Sequence, residues 1–264
     1  MSLLSYLRIW LACVRYSVVR TMMFRFDFLL WVAVDTAWMG VNLLLIEVLF
    51  RHTDSLAGWN KAEMQLLLGT SMLLMRLFIG LFFTNLFGIE RAVRDGTFDF
   101  YLAQPGNPLF MISTRKLDFD GLVNTILALA LIVHALGQLG IAPSLGTCIA
   151  YVGMILLGLL FHYATVVLLV SLSFWIVRLQ GIEGGYFSLF EISRLPRGAL
   201  RGVMEVVFVY AIPASIVANF PAETLRHGLD VPHTLWLIGV VALWFTAAVT
   251  LFNRGLRRYA SASS

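Results

Sequence analysis

Lysine is almost missing from this 264-residue sequence: Lys61 follows Asn60, Lys116 follows Arg115, and there is no third. A phosphate-binding loop needs Gly-Lys, so the chain does not hold a nucleotide in that way. Charge of either sign is scarce, at 13% of residues, against about 25% in soluble domains. No Lys/Arg-rich run accompanies the formal net charge of +4, which argues against a nucleic-acid partner. Two cysteines, Cys13 and Cys148, offer neither a disulfide framework nor metal-type spacing. The five histidines (His52, His134, His162, His227 and His233) form no H-E-x-x-H pair. None is followed by Asp at the spacing of many membrane acyltransferases, and no G-x-S-x-G occurs. His162, in the middle of an apolar run, reads as a hydrogen-bonded packing residue before it reads as a ligand. No catalytic set and no metal site emerge.

What is abundant is hydrophobicity, at 59% of residues. A single soluble core cannot hide so much apolar surface, so the solvent is lipid. A helix rising about 1.5 Å per residue crosses about 30 Å of hydrocarbon with roughly 20 residues. Six stretches meet that length: Phe28–Phe50, Met64–Ile89, Phe119–Ala142, Thr147–Val177, Val203–Phe220 and Leu235–Phe252. The fourth is longer than a bilayer requires. The fifth is short and contains Pro213, the least secure of the six. Six spans place both termini on one side. That side then holds Arg8, Arg15, Arg20 and Arg25; Arg91, Arg94, Arg115 and Lys116; Arg178, Arg194, Arg197 and Arg201; and Arg254, Arg257 and Arg258. The other side holds only Arg51, Lys61 and Arg226. Lys and Arg beside spans stay cytoplasmic, so both termini are expected there. Trp31 and Trp175 near inner boundaries, and Trp59 and Trp236 near outer ones, fit interfacial anchoring.

Residues 1–27 lack the unbroken apolar core of a secretory signal. Leu4, Leu7, Leu11, Val14 and Val18 repeat at helical spacing among arginines, which predicts a basic amphipathic helix in the inner interface. Either a simple orientation anchor or an elbow touching a partner fits that pattern. Arg76, near the midpoint of the second span, costs about 2.5–3.5 kcal/mol at that depth unless it faces protein or water. The first span supplies Asp35 and, on nearly the same face, Asn42. By helical rise Asp35 lies about 10 Å deep and Arg76 about 18 Å, a gap an arginine stem bridges. A structural Asp35–Arg76 pair is the expectation, ahead of a substrate-facing arginine.

Between the second and third spans stands "ERAVRDGTFDFYLAQPGNPLF", residues 90 to 110. Charged helix continues to Gly96, a plausible stop. Thr97 can cap a new short helix, with Phe98, Tyr101 and Leu102 on one face. Pro105 ends it, and Asn107 before Pro108 is a cap-plus-first-residue signal for the third span. Two readings stand level here: an exposed aromatic knob for a groove on a partner, or a loop whose aromatics dip into lipid.

The pattern E-R-x-x-x-x-G-T-apolar-acidic-x-x-L-x-x-P is carried by Glu90, Arg91, Gly96, Thr97, Phe98, Asp99, Leu102 and Pro105. It resembles the loop between spans two and three of type 2 ABC exporter permeases. Amphipathic start, six spans and a Pro-containing fifth span before a short outer loop extend the likeness to nearly the whole chain. It looks closest to small bacterial permeases served by a separate ATPase, with Phe98 and Phe100 where aliphatic residues are more usual. The E-A-A-x-x-x-G loop of importer permeases matches less well. Glu90, Arg91, Ala92 and Gly96 fit its first half, but its Ile-x-Leu-Pro is replaced by Gly106, Pro108 and Leu109.

The resemblance implies an all-α integral membrane bundle of six transmembrane helices with an N-terminal amphipathic interfacial helix. The whole of 1–264 would be one permease domain, with a coupling loop at 90–118 and a second cytoplasmic loop at 178–202. Glu90, Arg91, Gly96, Thr97, Phe98, Asp99, Tyr101, Leu102 and Pro105 would couple to the ATPase. The expected partners are two copies of a cytosolic ABC ATPase, a second permease chain making a homo- or heterodimer, and membrane lipid. ATP and Mg would sit on the ATPase, and this chain would bind no cofactor. The location implied is the bacterial inner membrane. The competing reading is a non-transporting polytopic membrane enzyme or assembly factor.

Overall fold

The computed structural model describes residues 2–176 and 181–259, and all of its regular structure is helical. Helix α1 (Leu3–Met23) is joined through the single non-helical residue Phe24 to α2 (Arg25–Phe50). After a short loop, Asn60 and Glu63 form a reciprocal cap, with Asn60 Oδ1 accepting from Glu63 N at 3.0 Å. It opens α3 (Lys61–Phe78), which runs through a π-helical turn (Ile79–Phe83) into α4 (Thr84–Arg94). Two short helices follow, α5 (Asp99–Leu102) and α6 (Pro108–Ser113). Then come α7 (Phe119–Leu139) and α8 (Leu145–Ser171), the latter extended to Phe174 by a 3₁₀ turn. Helix α9 (Ile182–Ile192), α10 (Val203–Glu205) with a π turn to Ala211, α11 (Ile216–His227) and α12 (Val231–Arg258) complete the chain.

Among the described residues, five helical stretches have the length and composition to cross a membrane: Arg25–Phe50, Lys61–Arg94, Phe119–Leu139, Leu145–Phe174 and Val231–Arg258. They coincide with five of the six expected spans, with ends shifted by a few residues; Val177, the expected end of the fourth, lies outside the described residues. The sixth expectation fails. Val203–Phe220 is not one helix, because Pro213 has no amide to donate and forces Ile212 out of the helical region (φ −124°, ψ 86°). The chain restarts at Ile216 with α11, which packs on α8 so closely that a Cβ on Gly158 would lie 3.2 Å from the Val217 carbonyl oxygen. Pro221, four residues on, leaves that carbonyl without its usual helical donor.

Both described termini gather at one end of the bundle. The Tyr6 hydroxyl accepts from Asn107 N at 2.9 Å, and the Tyr259 ring lies 5.4 Å from Phe98 and 6.1 Å from Phe174. At the opposite end Arg226 pairs with Glu63 at 2.5 Å and stacks over Trp59 at 4.3 Å. Lys61 pairs there with Glu47.

The segment 178–202, expected as a loop beside the termini, is instead threaded through the bundle in its described part. Tyr186 of α9 lies against Phe78 and Phe87, and Phe190 stacks on His162 at 3.8 Å. Farther on, Ser193 meets Ser71 at 2.8 Å, and Arg197 N donates to Asn219 Oδ1 at 2.9 Å. A Cβ on Gly198 would touch Ala57, in the loop at the end opposite the termini. Arg194 and Arg197 are thereby removed from the basic group at the terminal end; Arg178 lies outside the described residues. The remaining basic residues at that end include Arg91, Arg94, Arg115, Lys116, Arg257 and Arg258.

A close seam joins α3 to α7. A Cβ on Gly69 would meet Ile132 at 2.8 Å, and one on Gly121 would lie 3.0 Å from Gly80 N and 3.2 Å from the Arg76 carbonyl oxygen. Small residues let helix backbones approach where lipid gives no hydrophobic drive to association. Gly121→Val should cost about 1–3 kcal/mol as the overpacked helices part. The check is the melting temperature by fluorescence-detected size exclusion. Gly153→Val, at a position with open space around it, should leave the profile unchanged.

Candidate functional site

At the terminal end, α4 stops where Gly96 adopts φ +72°, a conformation that favours glycine. Glu90 and Arg94 pair at 3.1 Å on the last turn, and Arg94 also reaches Asp95 at 3.3 Å. Arg91 is exposed. Phe98 N donates to the Ala92 carbonyl at 3.0 Å, folding the chain back on the helix it has just left. Thr97 does not cap α5; its hydroxyl turns back toward the same carbonyl at 3.5 Å, and α5 has no side-chain cap. Helix α5 is four residues long and ends at Leu102, before the exposed Pro105. Asn107 Oδ1 accepts from Leu109 N and Phe110 N, with Pro108 next. It caps the separate helix α6 and not α7, which starts only at Phe119.

Phe98 is not part of an exposed knob. Its side chain is 0% exposed, enclosed by Phe174 (ring centroids 5.6 Å), Tyr259 (5.4 Å), Tyr101 (5.9 Å) and Phe252 (6.4 Å). The α8 end, the α12 end and α5 thus meet in one aromatic box. The residues facing outward are Phe100, 70% exposed, and Leu102, 39% exposed. Phe98 and Leu102 therefore do not share one docking face. Tyr101 is half-buried, with the Arg115 guanidinium 5.4 Å above its ring. Asp99 sits close enough to Tyr259 that its charge joins burial in pushing that phenol up.

The segment leading into α7 is held at several points. Asn85 Nδ2 donates to the Lys116 carbonyl at 2.7 Å, and Asn85 Oδ1 accepts from Lys116 N at 3.0 Å. Ser17 of α1 accepts from Leu117 N at 3.0 Å, and Asp118 N donates to the Gly80 carbonyl, in the π turn, at 2.9 Å. The Asp118 carboxylate accepts from the Thr84 hydroxyl, while burial pushes its pKa up.

Farther into the bundle the structure brings Asp35 and Arg76 together. Arg76 Nη1 lies 2.6 Å from Asp35 Oδ2, with the two side chains only 11% and 14% exposed. Asn124 Nδ2 of α7 donates to the same oxygen at 2.6 Å, so three helices converge on one carboxylate. Asn42 stands apart from this set: its Oδ1 accepts from Arg194 Nη1 at 3.2 Å, and Arg194 also pairs with Glu191 at 2.8 Å. Sequence reasoning missed Asn124 and Arg194. A lone Asn inside the apolar run of α7 was the available signal for the first. His162 is buried, with Tyr186 Oη 3.2 Å from its Nδ1, and serves as packing.

A family model described as "ABC-2 family transporter protein" matches residues 36–263. No curated protein and no solved structure matches the chain.

The shared carboxylate generates a thermodynamic test. Asp35→Ala or Arg76→Ala should each destabilise by about 3–5 kcal/mol, because each strands a buried charge. The double variant should lose less than the sum of the two, as read from melting temperatures in detergent; additive losses would mean the pair is not coupled.

Proposed function

Since the chain belongs to the ABC-2 transporter family, we propose that it is the permease subunit of an ATP-driven exporter seated on a separate cytosolic ATPase through residues 90–118. The family is one of transport proteins, which sets the membrane-enzyme and assembly-factor reading aside. The multi-pass helices agree with it. In general such a subunit works with an ABC ATPase and pairs with a second permease. Two ATPase copies, carrying the ATP and Mg, and a homo- or heterodimer of permeases complete the proposed assembly. The proposed place is the bacterial inner membrane, with both termini cytoplasmic. The concentration of Arg and Lys at the terminal end supports that orientation. The stretch 182–227 then acts as a fifth, irregular crossing between the spans α8 and α12. Helix α1, with Leu4, Leu7 and Leu11 exposed, would lie in the inner interface with those residues in lipid.

The observation that carries the reading is the division of labour in α5. Phe98, the residue that opens α5, is locked into the ends of α8 and α12, while Phe100 and Leu102 project from α5 itself. A partner gripping Phe100 and Leu102 would thus move the ends of two long helices through Phe98. Glu90, Arg91, Asp99 and Pro105 would border the contact, with Gly96 and Thr97 shaping its turn. Coupling is then a matter of leverage, with no covalent chemistry in this chain.

Phe100→Glu and Leu102→Glu should spare folding and weaken ATPase capture. An interface anchor is worth about 2 kcal/mol or more, or roughly thirtyfold in affinity. Phe98→Glu should instead lower folded yield, since it buries a charge among aromatic rings. Co-purification with the ATPase, together with size-exclusion profiles of each variant, reads both effects. Unimpaired ATPase capture and stimulation by the Phe100 and Leu102 variants would remove the coupling assignment.

A further inference from the structure

Beside the coupling segment lies a cavity of about 610 Å³, walled by Ala12, Cys13 and Tyr16 of α1 on one side and by Tyr101, Arg115 and Lys116 on the other. Its charge is of one sign. Among the described residues neither Arg115 nor Lys116 forms an ion pair with a carboxylate. The nearest acid along the chain, Asp118, forms no ion pair with either: its carboxylate accepts from the Thr84 hydroxyl, and Lys116 acts on it only through space. Two adjacent cations with no paired carboxylate give the cavity a positive potential that favours an anionic occupant.

The backbone that carries the two cations is held in place. Both backbone groups of Lys116 are held by Asn85, and the next amide is held by Ser17. Asn85 and Ser17 are themselves buried. Two buried polar side chains on different helices thus hold the backbone of a short basic turn, and the Arg115 guanidinium lies over the Tyr101 ring at 5.4 Å. A held turn that carries an arginine beside a lysine at the wall of a cavity matches an oxyanion, which a guanidinium can bind through two N–H groups. The facing wall is the N-terminal helix, whose exposed leucines place it against an apolar medium. The anion suited to this place has an apolar body.

We propose that the cavity binds the phosphate-bearing head group of an anionic membrane lipid, held by Arg115 and Lys116 against α1. Bound there, the lipid touches Tyr101 and so braces the segment that carries Phe98 and Phe100. The inference rests on this chain being a membrane protein. Its test uses neither the ATPase nor transport, so it can fail while the permease reading stands, and the reverse.

The experiment follows the melting temperature of the purified, delipidated chain in detergent. It is titrated with dioleoylphosphatidylglycerol, with dioleoylphosphatidylcholine, or with inorganic phosphate. Phosphatidylglycerol should raise the midpoint by about 3 °C or more at tenfold its half-saturating concentration. The other two should not. The R115Q/K116Q variant should lose the shift. So should Ala12→Trp, which fills the cavity from an exposed position and keeps both cations. R254Q/R257Q, an equal loss of charge at the same end, should retain it. If R115Q/K116Q does not fold, Ala12→Trp decides. A full shift in the folded cavity variants, an equal shift with phosphatidylcholine, or loss in R254Q/R257Q would overturn the site. An equal shift with phosphate alone would overturn the lipid as its occupant.

Discussion

A guanidinium inside an apolar bundle must be neutralised by its own chain, and Arg76 sets that demand for the whole structure. The Asp35 carboxylate answers it from α2, and Asn124 joins from α7 on the same oxygen. Asn124 is brought within reach where α3 and α7 approach almost backbone to backbone at Gly121. The small residues along that seam and the ion pair are therefore one solution. Close approach makes the polar contact possible, and the polar contact fixes the rotation of each helix about its axis. A buried pair of this kind adds little net stability, but breaking it is costly, so its contribution is to register.

Depth and surface are connected through the stretch just below that cluster. One π-helical turn separates Arg76 from α4, and within it the Gly80 carbonyl receives the Asp118 amide. From Asp118 the hydrogen bonds run back through Lys116 to Asn85 and through Leu117 to Ser17. The terminal end is thus tied to α1 and α4 by side chains that hydrogen-bond its main chain, and to the start of α7 by the main chain itself. On the other flank Phe98 ties α5 to α8 and α12 through rings alone. Hydrogen bonds fix direction more strictly than ring contacts do. The 114–118 turn is accordingly the firmer side and the aromatic box the more compliant one.

Legibility followed the length of the apolar run. Five long helices stood out in the sequence because each needs about 20 apolar residues to satisfy lipid on its own. The Asp35–Arg76 contact was readable for the same reason, since a charge in such a run has few partners to choose from. Residues 182–227 were misread because they do not face lipid on all sides. Tyr186, Phe190 and Asn219 are enclosed by other helices, so their neighbours in sequence are free to be polar. The periodic face of Phe98, Tyr101 and Leu102 was divided by the structure: Phe98 turns into the chain while Leu102 faces outward. Helical spacing groups residues on a side without saying whether that side meets the chain itself or another molecule. Asn107 illustrates a subtler limit: the capping signal was right, and the helix it opens was six residues long.

The irregular stretch also has a bearing on biogenesis. Glu183, Glu191, Arg194, Arg197 and Glu223 fall within 182–227, and each would cost about 2.5–3.5 kcal/mol at the bilayer centre. No lateral exit from a translocon into lipid is favourable for such a segment by itself. Ser71 of α3 and Asn42 of α2, which meet Ser193 and Arg194, belong to helices made earlier in the chain. Asn219, by contrast, satisfies Leu195 and Arg197 from within the segment. The order of synthesis therefore delivers the receptors first: α2, α3 and α8 stand ready before 182–227 emerges. The last helix, α12, then closes over a stretch that, if it crosses as proposed, enters the membrane as the guest of its predecessors.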